Sequence, residues 1–458
     1  MIRTDEKYIT YVQILKEELV PAMGCTEPIA IAYAAAKAKD VLGNFPDRME
    51  IGVSDNIIKN VKSVIVPNTD GLKGIEAAAV AGIAGGRSEK LLEVIAEVTP
   101  EQKKEMKEIL GSMPIQVSPV DNGMIFDIII TLFHENDSAK VRICQYHTNI
   151  VSIEKNGEIL YNAEMQGQVQ EAAVCEDRQN VKVSSCEDGQ KEKNICEEVQ
   201  KEIGLADKSL LNIRDIIDFA DTCEIADVKP ILDTQIHYNT LIAEEGILGD
   251  YGANIGSTLL KYYGHDVRNR AIAKAAAGSD ARMSGCEMPV VINSGSGNQG
   301  ITVSVPVIEY AKELSVPKEK LYRALVISNL IAVHEKTGIG RLSAYCGAVS
   351  AGCAAGCGIA YLQDGGYKEI AHTLVNSLAI VSGIICDGAK PSCAAKIASS
   401  VEAGILGYHM YMNKQQFRSG DGIVTNGVEA TIQNVGRLGR EGMRQTDKEI
   451  VRIMMDEQ

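Results

Sequence analysis

The chain contains no Trp and only five Phe among 458 residues, against 42 Gly. A core without large rings must be filled by Ala, Val, Ile, Leu and Met. Such side chains fill space to protein density only where backbones approach closely, which glycine permits. At this length two or three domains are expected, each able to bury a core of its own.

Periodicity divides the chain. Tyr8, Val12, Leu15 and Leu19 recur at helical spacing, so residues 5–20 read as an amphipathic helix ended by Pro21. Gly24-Cys25-Thr26-Glu27-Pro28 leads into an Ala-rich helix over Ile29–Leu42, with Pro28 in its first turn. Met49–Val53, Val61–Val66, Ile115–Val117, Met124–Leu132 and Lys140–Ile153 are rich in Val and Ile and predict strands, with helices at Ile75–Ala84 and Glu101–Leu110. Residues 166–205 are charged, short of large apolar side chains and punctuated by Asp-Gly, and read as a polar connector or insert. Beyond 206 the pattern is helix, glycine turn, helix, with long Ala/Leu/Ile runs at 320–336, 347–362 and 367–385. The expected fold class is therefore α+β: an α+β domain over 1–165, the connector 166–205, and a mostly α-helical domain over 206–458.

A formal charge of −15 without a basic stripe repels phosphate backbones, so nucleic acid is not an expected partner. The polar start Met1-Ile2-Arg3-Thr4-Asp5-Glu6-Lys7 lacks a signal-peptide core, and no uninterrupted apolar run reaches membrane-span length. Those features predict a cytoplasmic protein that is not membrane-bound, and they leave a homo-oligomer open. In a reducing compartment the twelve cysteines are buried, catalytic or metal-bound more often than disulfide-bonded.

No Cys-x-x-Cys occurs, which argues against thioredoxin chemistry, zinc ribbons and simple ferredoxins. The informative segment is Cys386-Asp387-Gly388-Ala389-Lys390-Pro391-Ser392-Cys393, whose Gly and Pro form a rigid turn able to aim two sulfurs at one centre. With Cys346 in Tyr345-Cys346-Gly347-Ala348, it reads as a three-thiolate metal site rather than as three small buried hydrophobes. Three thiolates leave an open coordination position, the arrangement that favours catalysis. Cys353 and Cys357, in an Ala/Gly helix, are explained by packing. Cys175, Cys186 and Cys196 fall in the connector, and Cys144, Cys223 and Cys286 carry no metal signature. Cys25 stands at the start of the Ala-rich helix, where the helix dipole favours a thiolate able to act as base or nucleophile. The alternative is a capping turn in which Thr26 caps the helix.

Asn293-Ser294-Gly295-Ser296-Gly297-Asn298-Gln299-Gly300 contains a literal G-x-G-x-x-G. A dinucleotide fingerprint requires a helix to follow, and Ile301-Thr302-Val303-Ser304-Val305-Pro306 reads as a poor helix start. The loop instead offers a nest of N–H groups suited to a carboxylate, with Ser294, Gly295, Ser296, Gly297 and Asn298 as binding candidates. Arg282, in Asp280-Ala281-Arg282-Met283, either clamps that carboxylate or pairs with Asp280. His147, His237, Asn239 and His334 read as polar positions without a catalytic pattern, and neither H-E-x-x-H nor G-x-S-x-G is present.

Pro21–Pro28, Asp280–Met283, Ser294–Gly300 and Cys386–Cys393, taken together, resemble the L-cysteine desulfidase family, related to the iron–sulfur-dependent L-serine dehydratases. The resemblance spans the chain apart from the connector. It implies a [4Fe–4S] cluster held by Cys346, Cys386 and Cys393, and a proton-transfer role for Cys25. It further implies β-elimination from a small amino-acid substrate, giving pyruvate, ammonia and sulfide from L-cysteine, or pyruvate and ammonia from L-serine. The wider spacing of the last two ligands in serine dehydratases makes the desulfidase branch the nearer match. Two rivals remain open on sequence. One is a pyridoxal-phosphate lyase with Lys274 as the Schiff-base residue. The other is a cluster-bearing redox sensor without turnover.

Overall fold

The structure, a computed structural model, describes residues 1–120, 122–163, 205–340 and 343–456. Of the 166–205 connector only residue 205 falls among them, so Cys175, Cys186 and Cys196 lie outside the described residues. The architecture is α+β, with a sheet in the N-terminal part and helices in the C-terminal part.

Six strands form one sheet in the order β3-β2-β4-β5-β6-β7. They are β2 (Arg48–Val53), β3 (Ile115–Pro119), β4 (Asp127–His134), β5 (Asp137–Cys144), β6 (Ile150–Lys155) and β7 (Glu158–Asn162). Only β2 and β3 run parallel; the other neighbours are antiparallel. Met49, Ile51 and Val53 of β2, Ile128, Ile130 and Leu132 of β4, and Ala139, Val141 and Ile143 of β5 alternate onto one buried face. That face covers the Ala-rich helix Thr26–Leu42, which is apolar nearly all round because helix Gly74–Gly85 covers its other side. The helices meet at backbone distance: a Cβ on Gly82 would lie 2.2 Å from the Ala32 carbonyl oxygen.

Two expected strands are corrected. Residues 61–66 do not form one, because Ile57, Ile58 and Val61 share the buried side of helix Asp55–Val61 and the chain then runs irregularly to Pro67. Residues 140–153 are two antiparallel strands. Gln145 takes φ 67°, and the Tyr146 and Asn149 amides close the turn by donating to the carbonyls of Cys144 and Tyr146 at 2.8 and 3.1 Å.

The sheet-bearing and helical parts share one continuous apolar core. Tyr8 and Tyr11 of helix Glu6–Glu18 meet the Phe219 ring edge-on at 5.1 and 5.4 Å. β1 (Pro21–Met23) pairs antiparallel with β8 (Pro289–Val291). After β8 the 293–300 loop enters a regular helix, Gly297–Glu313, which corrects the expectation of a poor helix start. Thr302 and Ser304 turn their hydroxyls back onto the Asn298 and Gly300 carbonyls at 2.6 and 2.7 Å, and nearly every side chain is buried, so packing overrides the local preference of a β-branched run with Pro306. Asn239 fixes the junction: its amide donates to the carbonyls of Val291 and Gly300 and accepts from the Val291 N–H at 2.8 Å.

At the centre of the helical part, Gly347–Leu362 and Cys393–Met412 lie side by side. A Cβ on Gly352 would come within 2.5 Å of Ser400, and one on Gly356 within 2.5 Å of the Gly404 carbonyl oxygen. Both contacts advance by four residues on each helix, so the two run parallel and in register. Their N-termini, at Cys346 and Cys393, are therefore brought to the same end. Among the described residues no helix is long and apolar enough to cross a membrane.

Helix Lys318–Ile339 carries a fully buried carboxyl, Glu335, neither of whose oxygens has a hydrogen-bond partner among the described residues. Burial pushes its pKa well above the ordinary carboxylate value. The folded chain thus holds a proton that the unfolded chain gives up above about pH 4.5. Stability from this site is complete below that pH and falls as pH rises, by up to about 1.4 kcal/mol per unit. Glu335→Gln removes this dependence. The variant's advantage in thermal midpoint over the parent chain is expected to be larger at pH 8 than at pH 6, and an equal difference at the two pH values would show that Glu335 is ionised in the fold.

Candidate active site

Four helices begin at one buried cavity of about 100 Å³. Cys25 and Glu27 come from the start of Thr26–Leu42, and Ser296, Asn298 and Gln299 from the start of Gly297–Glu313. Cys346 and Gly347 open Gly347–Leu362, and Cys393 opens Cys393–Met412. Free N–H groups and the positive ends of four dipoles meet there, a setting that favours carboxylates and thiolates. Lys336 and Arg282, both buried, add positive charge, the buried Lys59 is paired with Asp447, and Glu27 is the one carboxylate on the wall among the described residues.

The sulfurs expected to act together do line this one cavity. The Cys386 N–H donates to the Ala344 carbonyl at 2.7 Å and the Cys346 N–H to the Ile384 carbonyl at 3.3 Å, a short antiparallel contact that sets Cys346 beside Cys386. The turn to Cys393 passes through Gly388 at φ 97°, pressed so closely on the Lys59 carbonyl that a Cβ would lie 2.3 Å away. Asp387 accepts from Lys390 and Lys396, and Lys396 also donates to the Ile385 carbonyl at 2.9 Å, so two cations brace the turn. Burial first, then Cys386 and Cys393, push the Cys346 thiol up to about 12, and burial likewise raises Cys393. As thiolates the three sulfurs would repel one another in a dry site, which calls for a cation among them. Cys353 and Cys357 are wholly buried in the helix contact and do not line the cavity.

Cys25 is in the same cavity, packed with Val64 and Met283 and against Cys393. Its ionisation runs against the expectation of a helix-end thiolate. Burial, and then the Glu27 carboxylate, push its pKa up, although Arg282 opposes them. The thiol donates to Glu27 Oε2 at 3.2 Å. The capping alternative also fails for Thr26, whose hydroxyl donates to the Gly295 carbonyl at 2.9 Å instead of accepting from its own helix.

The carboxylate loop and Arg282 meet as well. Arg282 Nη1 donates to Asn298 Oδ1 at 3.1 Å, while its Nε has no partner among the described residues. It does not pair with Asp280, which accepts from the backbone N–H groups of Ala253 and Ile255. Ser294, Gly295, Ser296 and Asn298 line the cavity; Gly297 lies against Arg282 and allows its approach. Lys274 is elsewhere, in an ion pair with Glu309 at 2.8 Å. Sequence reasoning gave no role to Glu27, Lys59, Gln299 or Lys336. Glu27 and Gln299 stand inside motifs that were recognised, whereas Lys59 and Lys336 come from distant helices and carry no local signal.

Residues 89–452 match the family described as serine dehydratase alpha chain. The chain belongs to that family. It is a family of lyases in amino-acid breakdown, known for iron–sulfur enzymes. The chain is also 59% identical to a UPF0597 protein of Desulfitobacterium hafniense, over all of this chain and 99% of that one. UPF0597 proteins of Lachnoclostridium phytofermentans and Treponema denticola are 49% and 45% identical, each over 98% of this chain and at least 98% of their own length.

Cys346, Cys386 and Cys393 all line the one cavity, and thiolates are the donors that hold iron–sulfur clusters, so the donor chemistry fits such a group. Among the described residues no three His, Cys, Asp or Glu side chains form a site for one metal ion. Replacing Cys346, Cys386 or Cys393 singly by Ser is expected to remove most iron and the visible absorption from anaerobically purified protein. Cys353→Ala should retain both and cost stability on the order of a kcal/mol. Full iron content in Cys386→Ser would refute the assignment.

Proposed function

We propose that the chain is an iron–sulfur-dependent β-elimination lyase for a small amino acid, with L-cysteine as the preferred substrate. The observation that carries this reading is the meeting, in one buried cavity, of three sulfurs, a cradle for a carboxylate and a thiol–carboxylate pair. L-Serine, undergoing the same elimination, is the second reading, and the family match favours it. A cytoplasmic setting suits both, since the nine described cysteines are free thiols.

A bound [4Fe–4S] cluster with an open iron supplies Lewis acidity to the departing β-sulfur or β-oxygen. The remaining work belongs to the chain. The amides that open helix Gly297–Glu313, with Asn298 and the free Nε of Arg282, receive the substrate carboxylate. That anchoring holds Cα against Cys25, so proton abstraction occurs within a fixed geometry. Cys25 passes its own proton to Glu27 and, as thiolate, takes the α-proton; the raised thiol pKa makes it a strong base once formed. The electron pair of the broken C–H bond forms the Cα–Cβ double bond as the Cβ–S bond breaks, and sulfide departs. The resulting aminoacrylate tautomerises to an imine, which water hydrolyses to pyruvate and ammonia.

The pyridoxal-phosphate reading loses its candidate Schiff-base residue, because Lys274 is held by Glu309 away from the cavity. A redox sensor has no need of the Cys25–Glu27 pair or the carboxylate cradle. The test is an anaerobic assay of pyruvate and sulfide from L-cysteine, with L-serine in parallel. Turnover that disappears in air and returns with iron and reductant is expected. Turnover that persists after iron is lost would exclude the proposal. Cys25→Ala should retain iron and fold while turnover falls roughly a hundredfold or more, the usual worth of a positioned base; near-normal turnover would assign Cys25 to packing.

A further inference from the structure

Several buried polar atoms on the cavity wall have no hydrogen-bond partner among the described residues, the Tyr345 hydroxyl included, and the two at the carboxylate loop are of opposite kind. Arg282 Nε is a donor and Gln299 Oε1 an acceptor. Both side chains are more than nine-tenths buried and both line the cavity. Each is seated against a glycine. A Cβ on Gly297 would lie 2.2 Å from Arg282 Nε, and one on Gly347 would lie 2.5 Å from Gln299 Nε2 and 3.0 Å from Oε1. Gln299, in the first turn of the helix that the carboxylate loop opens, thereby lies against the residue that follows Cys346. An unpaired buried acceptor costs free energy that a ligand donor recovers. Arg282 already supplies the wall with a cation and a free donor, so a second anionic group has no reason to seek out a carbonyl oxygen.

We propose that Gln299 Oε1 receives the α-ammonium group of the substrate while Arg282 Nε–H receives its carboxylate. The wall thus recognises a free α-amino acid by both head groups and discriminates against carboxylic acids that lack the amine. This rests on the amino-acid reading of the site, yet it concerns binding and is separable from elimination. Gln299 is a substrate-binding residue here, with no part in proton transfer.

The test uses anaerobically purified protein and three probes. L-Cysteine reports KM. 3-Mercaptopropionate, which has the same carboxylate and thiol without the amine, reports an inhibition constant. L-Alanine has both head groups and no leaving group, and its dissociation constant is read by calorimetry. Gln299→Met is expected to raise KM for L-cysteine and the L-alanine dissociation constant roughly tenfold or more, the effect of losing one hydrogen bond to a charged group. It should leave 3-mercaptopropionate inhibition within about twofold. Gln299→Glu, which keeps an acceptor at this position, should restore L-alanine binding. A parallel loss for 3-mercaptopropionate would show that the substitution merely disturbs the site, and unchanged L-alanine binding would overturn the ammonium assignment. If the parent protein binds L-alanine through Gln299 but turns over no amino acid, inhibition by 3-mercaptopropionate is replaced by its calorimetric dissociation constant; the ammonium site then stands and the elimination reading falls. If the parent protein turns over L-cysteine and Gln299→Met changes neither KM nor L-alanine affinity, the ammonium site falls alone. Failure of the parent protein to bind L-alanine also overturns the ammonium assignment.

Discussion

The contact of Gly352 and Gly356 with Ser400 and Gly404 governs the geometry of the candidate site. Two helices approach so closely only when the residues at the crossing are glycine or similarly small, and a contact repeating at the same interval on both helices fixes them parallel and in register. Because their N-termini then fall at one end, Cys346 and Cys393 become neighbours although separated in sequence. The antiparallel contact between Ala344–Cys346 and Ile384–Cys386 adds the third sulfur. A chain without Trp and with few Phe depends on such backbone approaches throughout. Gly82 on Ala32 and Gly300 on Val291 are further cases, the latter placing the carboxylate loop.

Electrostatics follow from the same packing. Four helix N-termini facing one cavity concentrate positive potential where the described wall carries a single carboxylate, Glu27. Burial acts in the opposite sense on the thiols. It raises Cys25, Cys346 and Cys393 together, so the site stabilises anions brought to it more readily than it ionises its own sulfurs. For Cys25 the helix terminus is outweighed by dry surroundings and by Glu27 two residues away. Position at a helix start, taken alone, therefore misreads this cysteine's resting state.

Legibility in the sequence was high where the signal is local. The α+β class, the helices at 75–84 and 101–110, the Gly–Pro turn between Cys386 and Cys393, and the packing role of Cys353 and Cys357 all rest on periodicity or on a few adjacent residues. It failed where packing overrode local preference. The Val/Ser/Thr stretch ending at Pro306 is helical because buried neighbours enclose it and its hydroxyls bond back to the preceding turn. The expected strand at 61–66 is absent because Val61 closes helix Asp55–Val61, whose Ile57, Ile58 and Val61 are buried together.

The chemistry available is written in the chain: three thiols with a turn between two of them, a glycine loop, an arginine, and a cysteine beside Thr26 and Glu27. Residue type and short-range spacing are sufficient for such statements. Folding settles which of these meet, that Arg282 serves Asn298 and not Asp280, that Lys274 is committed to Glu309, and that Lys59, Lys336 and Gln299 belong to the cavity. Those outcomes depend on contacts between residues far apart in the chain, fixed by which helix faces are small enough to touch, and no local pattern encodes them.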